Sequence, residues 1–321
     1  MNEMKCMRCP RDCKVNRAQS QAGACGVTGN SIYVARAALH MWEEPCISGN
    51  TGSGTVFFSG CPLRCIYCQN YNIAHAKLGK PISVSRLSEI MLELQEKEAN
   101  NINLVTPTHY TPEIIEAIAL ARSKGLKLPM VYNCSGYESV DTLKSLDGIV
   151  DIYLTDFKYM DVSLAKKYSN APDYPEVAKL ALAEMVRQVR LHAVDKRVIE
   201  DDDTNRDFAE KSTCAVFDEK GIMQKGIIVR HLLLPNQLNN AKSVVKYVYE
   251  TYGDDVYLSL MNQYTPLPQV ADIEELNRRV TEEEYDALVD YAISLGVSNG
   301  FIQEGETAQE SFIPDFDCEG V

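Results

Sequence analysis

The chain has 321 residues, 45% hydrophobic and 24% charged, the balance of an ordinary globular protein rather than a disordered or fibrous one. Its length suits one barrel-sized α/β domain or two smaller ones. Its 32 Lys and Arg stand against 45 Asp and Glu, a formal charge of -13, which excludes a broad electrostatic grip on nucleic-acid phosphates or on anionic membrane lipid.

No apolar run approaches the roughly 20 residues of a membrane span, and the first residues lack a signal-peptide core, so a cytoplasmic protein is expected. In chain order, the first feature is then a group of cysteines: Cys6, Cys9, Cys13 and Cys25 supply four thiols within 20 residues. Where thiols stay reduced, such clustering points to metal rather than disulfides. A tetrathiolate suits closed zinc or an iron–sulfur cluster, so a second metal site of one kind or the other is expected in a small N-terminal Cys-rich segment over residues 1–50. Trp42 reads as core or interface, and Gly52-Ser-Gly54 precedes a strand and so reads as a turn, not a phosphate loop.

Between about 51 and 305, apolar runs alternate with helical patterns. Strands are expected at 55–59, 102–105, 128–132, 150–155, 227–234 and 256–260. A helix capped by Ser85 carries Leu87, Ile90, Met91 and Leu94 at helical spacing, and others are expected at 112–123, 177–189, 240–251 and 282–295. Six such units predict an α/β fold, an open or partial (β/α) barrel, with its chemistry at the carboxyl ends of the strands. An acidic run at 200–207 reads as part of a solvated insertion over about 191–213, a small hairpin is expected near 215–223, and the tail at 306–321 reads as weakly structured.

The most specific signal is Cys61-Pro-Leu-Arg-Cys65-Ile-Tyr-Cys68, a C-x3-C-x2-C loop directly after the first of these strands. Three thiolates hold three corners of a 4Fe-4S cubane and leave one iron open to an outside ligand, whereas ordinary ferredoxin-type clusters use four. The amino and carboxylate groups of S-adenosylmethionine (SAM) can chelate that iron. One electron then breaks the bond from sulfur to C5′, giving methionine and a 5′-deoxyadenosyl radical. A structural zinc loop would instead pair its cysteines as C-x2-C and take four ligands. Tyr67 is placed to pack against the adenine. Arg230 interrupts an apolar strand, where an unpaired charge is costly, so a carboxylate partner is expected from SAM or from a side chain.

The three-cysteine loop resembles the defining motif of the radical SAM superfamily. Together with Trp42-Glu-Glu-Pro, the run 52–61 and Cys68-Gln-Asn-Tyr, it resembles a branch related to pyruvate formate-lyase activating enzyme. The resemblance extends through 104–110, 133–137, 155–158, 230–236 and 262–264, with the acidic run its clearest departure. It implies a radical SAM partial barrel, a 4Fe-4S cluster on Cys61, Cys65 and Cys68, and cofactor-binding positions at Tyr67, Asn133, Ser135, Asp156, Lys158 and Arg230. Asp156 and Lys158 share a face by strand alternation and resemble the Asp-x-Lys element of activating enzymes, where the aspartate lies near the SAM carboxylate; the alternative is a solvated pair. Where those enzymes carry Gly-Gly-Glu for the SAM amino group, this chain has Thr106, Thr108 and His109, whose hydroxyls, imidazole or backbone would substitute, unless His109 only caps a loop or helix.

The function implied is that of a radical SAM oxidoreductase activating a partner protein by removing a glycine hydrogen. A glycyl-radical enzyme would be the partner, and flavodoxin or ferredoxin the electron donor. The alternatives are a radical SAM enzyme acting on a small molecule or other peptide, and a non-catalytic Fe-S or zinc interaction module.

Overall fold

A computed structural model describes residues 5–29, 31–200, 214–303 and 314–321, with the backbone alone over 193–200. In chain order the elements are β1 (Ile32–His40), α1 (Pro45–Ser48), β2 (Ser53–Phe58), α2 (Tyr71–Ala74), β3 (Lys80–Ile82), α3 (Val84–Glu96), β4 (Ile102–Val105), α4 (Thr111–Ser123), β5 (Met130–Cys134) and α5 (Val140–Lys144). There follow β6 (Ile152–Asp156), α6 (Val162–Ser169), α7 (Tyr174–Glu200), β7 (Val216–Phe217), β8 (Met223–Leu232), α8 (Leu238–Tyr252), β9 (Tyr257–Met261), α9 (Glu282–Leu295) and β10 (Gly300–Ile302).

The sheet runs β10-β9-β8-β6-β5-β4-β2-β1-β3, with β7 paired to β8 as the small hairpin. Along that order the pairings from β2 through β4, β5, β6, β8 and β9 to β10 are parallel, while β7 is antiparallel to β8 and β1 is antiparallel to both β2 and β3. The six expected strands are thus consecutive neighbours in one mostly parallel open sheet of the partial-barrel kind. β1 enlarges it from within the stretch assigned to the Cys-rich segment, so the sheet begins before residue 51.

Local chemistry sets the helix ends. Ser83, not Ser85, caps α3: its Oγ accepts from Arg86 N at 3.1 Å, while Leu87, Ile90, Met91 and Leu94 are buried as their spacing required. A reciprocal capping box between Thr281 and Glu284 starts α9 where the pattern placed it. α7 runs past the expected 189 to Glu200, and the rest of the acidic run lies outside the described residues.

The inner face of the sheet is filled at one end. Cys46 and Ile47 of α1 pack on Val131, Ile152, Leu154 and Ile228, so α1 plugs the amino-terminal end of the barrel. Fully buried Ile47 alone is worth about 1.5–3 kcal/mol of apolar burial. The open space therefore lies at the carboxyl ends. The end of the tail is ordered against β1: Cys318 N donates to Ala35 O at 2.9 Å, Ala37 N to Glu319 O at 2.8 Å, and Arg36 pairs with Asp317 and Glu319. The expected weakly structured tail holds for no residue in 314–321, because β1 still has backbone groups to satisfy there; residues 306–313 lie outside the described residues.

Candidate functional site

A cleft of about 1180 Å³, counting its open mouth, lies over the carboxyl ends of β2, β4, β5, β6, β8 and β9. The loop after β2 forms one wall. Gly60, at φ +88°, makes the turn possible, since a Cβ there would sit 2.9 Å from the Cys25 carbonyl oxygen and from His109 Nε2. Beyond it Cys61, Cys65 and Cys68 all line the cleft, and Ser169 Oγ donates to Cys65 Sγ at 3.0 Å. Burial pushes the Cys61 thiol up to about 11 and Cys68 higher still, although Lys158 pulls both down. Thiols so placed need a cation to ionise, which is what a bound iron cluster supplies. Cys134 also reaches the cleft, but its sulfur is turned to Thr155 Oγ1 at 3.4 Å, so the loop presents three thiols and no fourth.

The opposite wall is a charge network. Arg230 on β8 donates through Nε to Asp156 Oδ1 at 3.1 Å, through Nη1 to Glu43 Oε2 at 3.0 Å and through Nη2 to Asn133 Oδ1 at 2.6 Å. Lys158 Nζ reaches Asp156 Oδ2 at 2.6 Å. Burial alone would raise the Asp156 carboxyl, yet Lys158 and Arg230 together hold it below its ordinary value. The carboxylate partner expected for Arg230 is therefore double, and Asp156 and Lys158 form a cleft-facing pair with side chains only 17% exposed.

Thr106, at the end of β4, lines the cleft with φ +59°, a left-handed conformation unusual for a β-branched residue. Its amide donates to Asn133 O at 2.9 Å. Thr108 and His109 are not in the cleft. A short 3-10 turn carries them away: Thr108 Oγ1 donates to Glu138 Oε1 at 2.8 Å, and His109 Nε2 lies 2.9 Å from Ser59 O. His109 is fully buried, and that burial lowers it to about 3, which keeps it neutral. The proposed substitution for Gly-Gly-Glu thus narrows to Thr106 and its backbone. Asn133 and Ser135 do line the cleft, and Tyr174 OH donates to Ser135 O at 2.8 Å. Tyr67 lines it too, with its ring edge-on to Tyr159, Tyr168 and Tyr264 and its hydroxyl accepting from Tyr159 at 2.8 Å.

The residue that sequence reasoning missed is Glu43. Its Oε1 also accepts from Asn103 and Asn133 at 2.9 and 3.2 Å, so it is the carboxylate on which three strands meet. The available signal was its place in Trp42-Glu-Glu-Pro, beside a turn and close to an apolar strand. His40, Met261 and Gln263 are among the further lining residues that were unforeseen, and Trp42, expected in the core or an interface, is exposed and lines the cleft as well.

The N-terminal cysteines gather behind this wall. Cys6, Cys9 and Cys25 are buried and Cys13 half-buried, with Arg17 donating to the sulfurs of Cys6 and Cys25. Arg8 clamps the segment to Glu113 by two 2.8 Å bonds and to His109 O at 2.9 Å; Arg11 reaches Pro62 O and Ser169 O, each at 2.8 Å. Among the described residues, no three His, Cys, Asp or Glu side chains converge as ligands of one metal ion. No helix among them is long and apolar enough to cross a membrane.

The fold is an open, mostly parallel sheet of the partial-barrel kind, with a three-thiol loop facing a buried ion network at its carboxyl edge, where such folds place their binding sites. Residues 55–209 match the family model described as the Radical SAM superfamily. The chain is 25% identical over 294 residues to MJ0674, an uncharacterized protein of Methanocaldococcus jannaschii, covering 89% of this chain and 74% of that one. Streptococcus suis SuiB bound to the precursor peptide SuiA is similar with a TM-score of 0.45 and 13% identity over 78% of this chain. SuiB bound to S-adenosylmethionine is similar at 0.44 and 10% over 76%. The chain spans about half the length of those structures, 48% in each case.

Proposed function

We propose that this protein is a radical SAM enzyme that activates a partner protein by abstracting a hydrogen from a glycine. The observation that carries the SAM reading is the facing of two walls across one cleft, three thiols on the loop after β2 and the Asp156–Lys158–Arg230 network opposite. The donor set fits a 4Fe-4S cluster with one open iron: Cys61, Cys65 and Cys68 would hold it, and when bound it supplies the electron that cleaves SAM. The chain's own residues do the rest. Lys158 and Arg230 offer positive charge to the SAM carboxylate, Asp156 fixes both, Thr106, Asn133 and Ser135 offer hydrogen-bonding groups to its polar end, and Tyr67 contributes the aromatic wall. Glu43 keeps Arg230 compensated before any ligand arrives.

The glycine as hydrogen donor is supported by the likeness of Asp156 and Lys158 to the Asp-x-Lys element of activating enzymes. Anaerobic reduced protein with SAM should release 5′-deoxyadenosine, and incubation with candidate glycyl-radical enzymes should leave a persistent doublet in electron paramagnetic resonance. Deoxyadenosine without a doublet from any candidate would move the assignment to a small molecule or other peptide; no deoxyadenosine above a cluster-free control would leave a binding module. A cytoplasmic setting, with a flavodoxin or ferredoxin as reductant, is part of the same reading. So is a second metal centre on Cys6, Cys9, Cys13 and Cys25.

A further inference from the structure

The last turn of α6 is docked onto the three-cysteine loop. Ile66 N donates to Tyr168 O at 2.9 Å, and Arg11 bridges the two segments, donating through Nε to Pro62 O and through Nη2 to Ser169 O, each at 2.8 Å. The helix stops there because Asn170 takes a left-handed conformation, at φ 47°. Clamped in this way, Ser169 is only 3% exposed, and its Oγ reaches Cys65 Sγ at 3.0 Å. Cys61 and Cys68 are served differently, by the backbone amides of Leu63 and Arg64 and of Asn70.

Ser169 is the inner end of a line of hydroxyls. Its Oγ lies 2.8 Å from Tyr159 OH, and Tyr159 OH lies 2.8 Å from Tyr67 OH, with all three side chains buried. Three hydroxyls carry three hydrogens for three contacts, so every contact is made only when all of them point the same way. With Ser169 donating to Cys65 and Tyr159 to Tyr67, the middle contact is left with two oxygens and no hydrogen between them.

Ionisation of Cys65 settles the direction. A cysteine that ligates iron is a thiolate, which accepts and cannot donate. Ser169 then gives its hydrogen to Cys65, Tyr159 gives its own to Ser169, and Tyr67 turns to give its own to Tyr159. Each donation polarises the next, so the whole line acts on the sulfur. Reduction adds negative charge to a cluster and its thiolates, and a donor aimed at one of those sulfurs favours the reduced form.

Resting on the reading of a 4Fe-4S cluster on Cys61, Cys65 and Cys68, we propose that Ser169 is a positioning residue for that centre: it hydrogen-bonds the Cys65 thiolate, raises the reduction potential of the cluster held there, and is oriented for this by Tyr159 and Tyr67. Because Tyr67 lines the cleft, the line of hydroxyls joins the cleft wall to a cluster ligand.

The test is redox titration of the full chain, purified anaerobically and free of SAM, with the reduced cluster followed by electron paramagnetic resonance. Ser169→Ala should shift the potential of the cluster to a more negative value with the iron content of the wild type. Tyr159→Phe should shift it in the same direction by less, and Ser169→Thr, which keeps the hydroxyl, should restore most of the wild-type value. After exchange into D2O, electron–nuclear double resonance should show a cluster-coupled deuteron that Ser169→Ala lacks, a signal that a side chain serving only to pack would not supply. Wild-type potential and deuteron coupling in an iron-loaded Ser169→Ala would overturn the proposal and leave the cluster reading standing. A shift in Ser169→Ala with none in Tyr159→Phe would overturn the orienting line and keep Ser169 as the donor. Should Ser169→Ala fail to hold iron, Tyr159→Phe decides, and a wild-type potential there overturns the proposal. A cluster content that ignores the loss of Cys61, Cys65 and Cys68 would overturn the cluster reading, and the proposal with it.

Discussion

Asp156 and Arg230 are register partners on β6 and β8, and the guanidinium closes on the carboxylate across that pairing at 3.1 Å. With Lys158 on the other oxygen, Asp156 orients two cations toward the cleft. Asp156→Asn should therefore weaken SAM binding about tenfold or more, the loss of one charge-assisted contact, while leaving the cluster's visible absorption largely intact. Equilibrium binding of SAM to the anaerobic protein measures this; unchanged affinity would reduce Asp156 to a structural ion.

Each of Cys61→Ala, Cys65→Ala and Cys68→Ala should abolish SAM cleavage, because two thiolates cannot poise a cubane with one open iron. Deoxyadenosine release and iron content are the measurements, and near wild-type turnover in any single variant would sink the assignment. Cys134→Ala should retain activity, since its sulfur faces Thr155.

His231 is 2% exposed, with Nδ1 2.7 Å from Phe157 O, and its burial lowers it from 6.5 to about 4. The unfolded chain thus binds a proton that the folded chain refuses between those values. Stability should fall as pH drops from 6.5 toward 4, by about 3 kcal/mol at most from this group, and should be insensitive to it above 7. Lys158 lowers the same histidine further and Asp156 opposes it, so denaturant titrations of His231→Asn are best compared with wild type across that window. A variant with the wild-type slope would show that His231 is not the group titrating.

Thr106 holds a left-handed backbone at φ +59°, which costs a residue with a Cβ roughly 1–2 kcal/mol. Thr106→Gly should leave thermal stability equal or higher despite the added chain freedom. If the hydroxyl serves the cofactor, SAM affinity falls in the same variant, whereas an unchanged affinity assigns the role to the backbone. A clear loss of stability would mean that the threonine side chain packs more than its conformation strains.

The parallel core was readable because strands covered on both faces appear as short, mostly apolar runs, broken only by Asn103 at 102–105 and by Arg230 and His231 at 227–234. β1 was hidden by Arg36 and by its alanines, which weaken both strand signals. At the site, Arg230 announced its need for a partner by interrupting an apolar strand. Glu43 could not be paired with it from sequence, since 187 residues separate them and only the sheet brings them together. Thr108 and His109 were misplaced for a local reason: the 3-10 turn after Pro107 rotates them off the cleft within a single turn, and no periodicity records that.

The strap that Arg36 ties down joins residues 279 and 281 positions apart, and it brings Pro314 into the cleft wall and Phe316 edge-on to Phe57, ring centres 5.5 Å apart. During synthesis, β1 and all seven clustered cysteines emerge long before that strap exists. At ordinary elongation speeds the delay between the two is on the order of 15–60 s. Throughout that interval Cys61, Cys65 and Cys68 stand beside an unfinished wall, so the order of the polypeptide leaves the three-thiol loop open to any metal donor before the cleft is walled in.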